Sequence, residues 1–152
     1  MLKGIATSSG IAIGKVYKLE QPNVVVNTGA GVPEKELEVF AKALEKTISD
    51  IEKIKEKASA TLGEEELAIF DAHLMMAQDP EYKDQIIAMI NEGKTADNAT
   101  KQVSDTMISM FESMDDAYFK ERAADLKDVS FRLLCNILYD NTKSRFQITN
   151  WI

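Results

Sequence analysis

The sequence predicts a mainly α protein, an antiparallel helical bundle preceded by two or three short β-strands of an incomplete sheet. From Pro33 onward only Gly63 and Gly93 remain of seven glycines, and strong helix formers dominate. Apolar residues in this part recur with helical spacing, and short polar breaks separate the periodic runs. Residues 1–32 instead contain short β-branched runs interrupted by glycine. The sequence therefore predicts strands in residues 1–32 and helices from Pro33 onward.

The N-terminal part contains three apolar runs, at residues 4–6, 11–17 and 24–26, separated by glycine, serine and asparagine. Such runs are typical of strands joined by turns. Because an isolated hairpin is only marginally stable in water, we expect these strands to belong to a sheet that is completed elsewhere in a longer chain.

The first predicted helix begins at Pro33, which suits an N-terminal turn, and ends before Gly63, which is placed as a C-cap. Its main apolar residues recur every seven positions and their neighbours widen the stripe. This pattern indicates a helix packed in a bundle. The stripe comprises Leu37, Phe40, Ala41, Leu44, Ile48, Ile51, Ile54, Ala58 and Leu62.

Four more helices follow, and local sequence signals mark where three of them begin or end. Asp79-Pro80-Glu81 suits the first positions of the third helix, and Gly93 suits its end. Thr95 is placed to cap the fourth helix, and Asp115-Asp116 opens the fifth. Short connections predict antiparallel neighbours. The predicted inward residues are Leu67, Phe70, Leu74 and Ala77; Tyr82, Ile86, Met89 and Ile90; Ala99, Val103, Met107, Met110 and Met114; and Phe119, Ala123, Leu126, Val129, Leu133 and Ile137.

Composition excludes several classes of function. The 152 residues carry a net charge of −7, which argues against nucleic acid or an anionic membrane as partner and favours a basic protein surface. The single cysteine, Cys135, excludes a disulfide framework and suits a reducing cytoplasm. The single histidine, His73, excludes a multi-histidine metal site, so no metal ligands are expected and most enzyme classes are disfavoured.

The segment from Glu64 to Asp84 has an unusual composition, with seven acidic residues and one lysine. Two interpretations are open. The acids could form an ordinary solvated helix face. Alternatively, because Met75, Met76 and Tyr82 lie among them, they could form the acidic rim of an apolar surface that binds a basic protein.

Three segments, residues 3–15, 62–81 and 118–128, together resemble a known family. The most specific is the run Glu121-Arg122-Ala123-Ala124-Asp125. In order and spacing they are similar to the N-terminal part of Enzyme I of the bacterial phosphotransferase system, the phosphoenolpyruvate–protein phosphotransferase. The resemblance covers roughly residues 1 to 139.

The resemblance implies a division of the chain into three parts. Residues 1–32 would be the first strands of an incomplete α/β phosphohistidine domain. Residues 33–139 would be a helical domain that docks the phosphocarrier HPr, and residues 140–152 form an unassigned tail.

The resemblance also implies an activity for a longer parent protein. Such an enzyme moves a phosphoryl group from phosphoenolpyruvate through a histidine to HPr, requires Mg²⁺, and dimerises through a C-terminal domain. The family's phosphohistidine motif is absent here, so we expect no catalytic residue and no cofactor in this chain, and a cytoplasmic location. The alternative is a stand-alone bundle that binds HPr or another basic partner without catalysis.

By the resemblance, the HPr-contacting residues lie in two segments of the helical domain. They are Glu64, Glu65, Ala68, Asp71, His73, Met75, Met76, Glu81 and Tyr82 from one, and Phe111, Tyr118, Phe119 and Arg122 from the other.

Overall fold

The computed structural model describes the backbone of residues 24–141 and the side chains of residues 24–138. Five helices within this range form a bundle in which α5 packs against α1, α2 and α4, and α3 packs chiefly against α4. They are α1 (Pro33–Ala58), α2 (Glu64–Gln78), α3 (Pro80–Asn91), α4 (Ala96–Ser113) and α5 (Ala117–Asn141). No helix of the described residues is both long and apolar enough to cross a membrane.

The hydrophobic core is built by α1, α3, α4 and α5. Its central buried cluster takes no residue from α2, whose Met76 only packs against its edge. Most predicted inward positions of α3 and α5 are confirmed, since Tyr82, Ile86, Leu126, Leu133 and Ile137 are all at most 2% exposed. Met89 and Phe119 are only half-buried. The rest of the cluster comprises Phe40, Ala43, Ile90, Ala96, Ala99 and Val103.

Two helix starts follow the predicted local chemistry. Asp79 Oδ1 accepts a hydrogen bond of 2.9 Å from the backbone N–H of Tyr82, which is the N-cap geometry, and Pro80 occupies the first turn. Asp116 Oδ1 accepts a similar bond from the backbone N–H of Tyr118, at 2.8 Å, at the start of α5. Gly93, with φ of 94°, follows α3 in the left-handed conformation that glycine tolerates best.

The end of α1 was predicted wrongly. The helix ends at Ala58, and Gly63 is the N-cap of α2 instead of the C-cap of α1. Ser59 Oγ donates to the carbonyl of Glu56 and Thr61 Oγ1 to that of Ala58, so hydroxyl groups take up the last carbonyls of the helix. Because the helical period stops there, Leu62 leaves the apolar stripe and is 42% exposed.

Besides Leu62, two residues predicted to face inward lie on the surface. Ala41 is exposed, and Met110 is 46% exposed. Position 47 contributes a buried threonine that the apolar pattern missed: Thr47 Oγ1 donates to the carbonyl of Ala43 and accepts from Asn136 Nδ2, which joins α1 to α5.

Of the predicted strands, those at residues 4–6 and 11–17 lie outside the described residues. The third, at residues 24–26, is not a strand in the structure. Its backbone leads into residues 27–32, which pair with the turn between α3 and α4 through a single bridge between Ala30 and Lys94. We call residues 24–32 the connector.

The connector is tied to the start of α4 by hydrogen bonds over long sequence separations. The backbone N–H of Asn27 donates to Asp97 Oδ2 at 2.6 Å, and Thr95 Oγ1 donates to the carbonyl of Asn27 at 2.8 Å. Thr95 occupies the predicted N-cap position, but its hydroxyl does not cap the helix. Glu36 of α1 does so instead, because its carboxylate accepts the N–H of Ala96 at 2.8 Å.

Candidate partner-docking face

Helix α2 differs from the other helices because its apolar residues lie on two sides. Ala77 is its one buried residue, while Ile69 is 49% and Met75 is 63% exposed. The inner side packs against α1, α3 and α5. The outer side carries Ala68 and Met75, seven residues apart and therefore on the same face of the helix. Apolar side chains are thus presented to solvent along the length of α2.

The first turn of α2 is strongly acidic. Glu64, Glu65 and Glu66 are all exposed and lie at the N-terminus, where Gly63 provides no side-chain cap. Negative charge at this end of a helix is favourable because it interacts with the unpaired N–H groups and the helix dipole. Acidic residues therefore stabilise this end of the helix. Because they are exposed, their carboxylates remain accessible to a partner.

A cleft of about 230 Å³ lies between α2 and the neighbouring helices α3, α4 and α5. Its wall is mostly apolar, and it brings together residues from α2, α3, α4 and α5. Five of the residues predicted as partner contacts line it, and Asp79, Met107 and Leu126 complete it. The five are Met75, Met76, Tyr82, Phe111 and Arg122.

Tyr82 forms the floor of this cleft and is not an accessible contact residue. Its side chain is 1% exposed, and its hydroxyl lies 2.7 Å from Ser104 Oγ. Ser104 Oγ donates to the carbonyl of Thr100, so Tyr82 is the donor of the pair. Burial raises the pKa of Tyr82 to about 12. Tyr82 therefore lies beneath the cleft and supports it without being accessible to a partner.

An aromatic group lies beside the cleft at the start of α5. The rings of Phe111 and Phe119 are 5.9 Å apart, and those of Tyr118 and Phe119 meet edge to face at 5.4 Å. The guanidinium of Arg122 lies 5.1 Å from the centre of the Tyr118 ring, and its Nη2 donates to the Tyr118 hydroxyl at 2.9 Å. Arg122 is thus held in place by a residue one helical turn earlier.

Two contacts between charged or titratable groups connect α2 with its neighbours. His73 Nε2 lies 3.4 Å from Asp125 Oδ1 of α5, and this buried nitrogen has no hydrogen-bond partner among the described residues. Asp71 Oδ1 is bonded to the ammonium of Lys55 on α1. Asp125 belongs to the conspicuous Glu-Arg-Ala-Ala-Asp run, whereas nothing in the sequence indicated Lys55.

The structure places most of the predicted contact residues on one side of the bundle. Ala68, Asp71, Met75 and Tyr118 are exposed with the glutamates of the first turn, whereas His73, Met76, Phe111, Phe119 and Arg122 are half-buried. Glu81 is exposed at the start of α3, where its carboxylate accepts from Gln85 Nε2 at 2.8 Å. We call the following set the α2–α5 face: Glu64, Glu65, Ala68, Asp71, Met75 and Met76 of α2 with Tyr118, Phe119 and Arg122 of α5.

The chemistry of this face suits binding. Within residues 24–141 no group of three or more histidine, cysteine, aspartate or glutamate side chains is arranged to hold a metal ion. Exposed methionines and aromatic rings adapt to apolar partners, and a carboxylate rim attracts cations.

Comparison with known proteins gives a consistent result. Residues 3–122 match the family described as PEP-utilising enzyme, N-terminal. The chain is 47% identical over 142 residues to the phosphoenolpyruvate-protein phosphotransferase of Lactococcus lactis subsp. lactis, covering 91% of this chain and 24% of that protein. It is 41% identical over 140 residues to the protein of the same name from Bacillus subtilis, covering 90% and 24%. The chain therefore spans about a quarter of the length of these relatives.

Solved structures with a similar fold point the same way. A solution NMR structure of the Enzyme I (nEIt) protein superposes with a TM-score of 0.71 at 45% identity, covering 77% of this chain and 49% of that one. A structure described as the N-terminal domain of Enzyme 1 - Nitrogen gives a TM-score of 0.69 at 27% identity, covering 79% and 50%.

Proposed function

This chain belongs to the PEP-utilising enzyme family, as an N-terminal region of the Enzyme I type, and from that premise we propose that its helical bundle docks the phosphocarrier HPr. The observation that carries the proposal is the exposure of apolar side chains on α2, a helix whose first turn is acidic. Met75 is 63% exposed there, whereas the core residues Ile86, Ile90 and Leu133 are 0% exposed. Apolar side chains that are exposed to water in this way are expected where a partner covers the surface.

Two groups of residues would contribute to binding in different ways. Glu64 and Glu65, with Asp71 and Glu81, would attract the basic surface of the carrier over a distance and orient it. Met75 and Met76 of α2, with the ring of Phe119, would form the centre from which water is excluded.

The buried and half-buried members would have supporting roles. Tyr82 holds the floor of the cleft through Ser104, and the contact between His73 and Asp125 lies where α2 meets α5. Arg122 is already held by Tyr118, so it would present a pre-positioned donor to the carrier.

The longer protein would transfer phosphoryl groups from phosphoenolpyruvate through a histidine to HPr, with Mg²⁺ bound outside this chain. The part of the chain described here would bind only. His73 has a carboxylate 3.4 Å from its Nε2, and that negative charge repels an incoming phosphoryl group. We therefore propose residues 33–139 as a docking domain, attached to an incomplete phosphohistidine domain formed by residues 1–32.

A titration of the isotope-labelled chain with unphosphorylated HPr, followed by amide NMR shifts, tests the proposal. We expect shift changes concentrated in α2 and the first turns of α5, and little change in the α4 turn that contacts the connector. Changes confined to the connector, or no change at millimolar HPr, would refute docking at this face. Incubation with phosphoenolpyruvate and Mg²⁺, or with phosphorylated HPr, should leave no acid-labile phosphate on His73 by mass spectrometry.

A further inference from the structure

Lys55 lies at the last turn of α1, and its ammonium is bonded to the carboxylate of Asp71 on α2. The two residues are 16 positions apart, so this ion pair connects two helices. The Lys55 side chain is 34% exposed and that of Asp71 is 55% exposed. Lys55, a basic residue of the protein itself, is therefore already paired with one of the acidic residues that we expect to attract a basic partner.

The other acids of this region have no such occupant. Neither Glu64 nor Glu65 is paired with a cation in the described part of the chain, and Glu81 accepts only from the neutral amide of Gln85. Among these four acids, Asp71 is therefore the one whose charge is already partly neutralised in the unbound protein.

We propose that Lys55 is an internal competitor for Asp71, which a cationic group of the docked carrier displaces when the complex forms. The proposal rests on the docking function above and identifies a residue that regulates it. In the unbound chain Lys55 lowers the negative potential of the face and so slows the encounter with a basic partner. On binding, its ammonium leaves Asp71 and returns to water.

The size of the expected effect follows from the exposure of the pair. Exposed ion pairs contribute little, because solvent screens them and both side chains lose freedom. A partner can therefore displace Lys55 readily, and its removal should raise the association rate by about two- to fivefold at low salt.

The chain offers a matched control in Lys46. It forms an ion pair with Asp50 on the same helix, at 2.7 Å, so Lys46→Gln removes the same charge and one comparable pair. Lys46 and Lys55 are about two and a half turns apart on α1, which places them on opposite sides of the helix. Lys46 therefore does not face α2 where Lys55 does.

The experiment compares association rates with unphosphorylated HPr by stopped flow at low salt for the unmodified chain, Lys55→Gln and Lys46→Gln. We expect Lys55→Gln to bind about two- to fivefold faster than Lys46→Gln. In an Asp71→Asn background this advantage should disappear, since the acid that Lys55 covers is gone. Thermal unfolding of each variant verifies that the bundle is intact.

Three results would overturn the inference. Equal rates for the two glutamine variants would show that only net charge matters. A slower rate for Lys55→Gln would show that Lys55 positions Asp71 for the partner instead of competing with it. No binding by the unmodified chain would remove the docking function and the inference together, and this outcome is distinguishable because it involves no variant.

Discussion

Helices α2 and α4 depart from the usual inside–outside distribution in opposite directions. Helix α2 exposes apolar side chains, with Ile69 at 49% and Met75 at 63%. Helix α4 buries polar ones, with Asp97 and Ser104 at 2% and Thr100 at 0% exposed. Both departures are unfavourable unless something compensates for them.

In α4, hydrogen bonds within the chain satisfy most of the buried polar groups. Asp97 accepts the backbone N–H of Asn27, and Ser104 links Tyr82 to the carbonyl of Thr100. The Thr100 hydroxyl is the exception, since it has no hydrogen-bond partner in the described part of the chain. These bonds join the connector and α3 to α4, so the buried polar groups of α4 serve the fold.

For α2 nothing in the described part of the chain covers the exposed apolar side chains. Its buried side adds little to the core, and its outer side combines apolar groups with an acidic first turn. Buried polar residues that form hydrogen bonds within the chain therefore serve the fold, whereas exposed apolar residues that share a face with accessible carboxylates favour a partner-binding role.

The largest expected effect concerns Tyr82 and its contact with Ser104 at alkaline pH. Burial raises the pKa of Tyr82 to about 12. Because the folded-state pKa lies above the unfolded value, the stability is fully present below about pH 10 and is lost as the pH rises towards 12. We expect a loss of about 2–3 kcal/mol in the free energy of unfolding over this range. Tyr82→Phe should remove that part of the pH dependence in urea unfolding curves.

The control for this prediction is Tyr118→Phe, which changes an exposed tyrosine. It should keep the alkaline loss of the unmodified chain. A loss unchanged in Tyr82→Phe would mean that other groups cause it.

The next effect concerns the contact between α4 and the connector. Asp97→Ala leaves the N–H of Asn27 without its acceptor, and we expect the free energy of unfolding to fall by about 1–3 kcal/mol. Asp105→Ala removes an exposed aspartate on the same helix that pairs with Lys101, and it should cost at most about 0.5 kcal/mol. Denaturant unfolding measures both, and equal losses would contradict the architectural role of Asp97.

A smaller effect is expected for a substitution on α2, which should weaken binding and leave the free energy of unfolding nearly unchanged. Met75→Ala should weaken HPr affinity by about 1–2 kcal/mol, mainly through faster dissociation. The free energy of unfolding should change by less than about 0.5 kcal/mol, because the side chain is 63% exposed. Val25→Ala in the connector, also strongly exposed, serves as the control and should leave affinity unchanged. A stability loss as large as that of Asp97→Ala would place Met75 in the core.

The smallest effect concerns the acidic rim. Glu64→Lys combined with Glu65→Lys should slow association with HPr by about fivefold at low salt and flatten its salt dependence, since such charges act over a Debye length of about 8 Å at physiological ionic strength. Glu92→Lys combined with Asp105→Lys makes the same charge change away from the α2–α5 face. If both double variants bound equally fast, the attraction would come from net charge alone.

Much of the fold followed from local chemistry. Asp79 caps α3 and Asp116 opens α5 because the partners of these side chains lie two or three residues away. The inward residues of α5 were predictable because its apolar stripe is continuous, and the acidic, methionine-rich segment was visible as a possible binding surface. The resemblance to Enzyme I added the individual contact residues, whose roles stay proposals.

Other features depend on residues far apart in the sequence, so only the tertiary structure decided them. Thr95 was predicted as a cap, yet its hydroxyl bonds to Asn27, 68 positions earlier, and Glu36 takes over the cap. Lys55 reaches Asp71 only because α1 and α2 are neighbours. Met107 and Met110 of α4 were both predicted to face inward, but Met107 packs on the core and Met110 is 46% exposed. Sequence determined which residues are helical, because helix signals are local; packing decided which apolar side chains stayed on the surface, because burial depends on the neighbours that other helices provide.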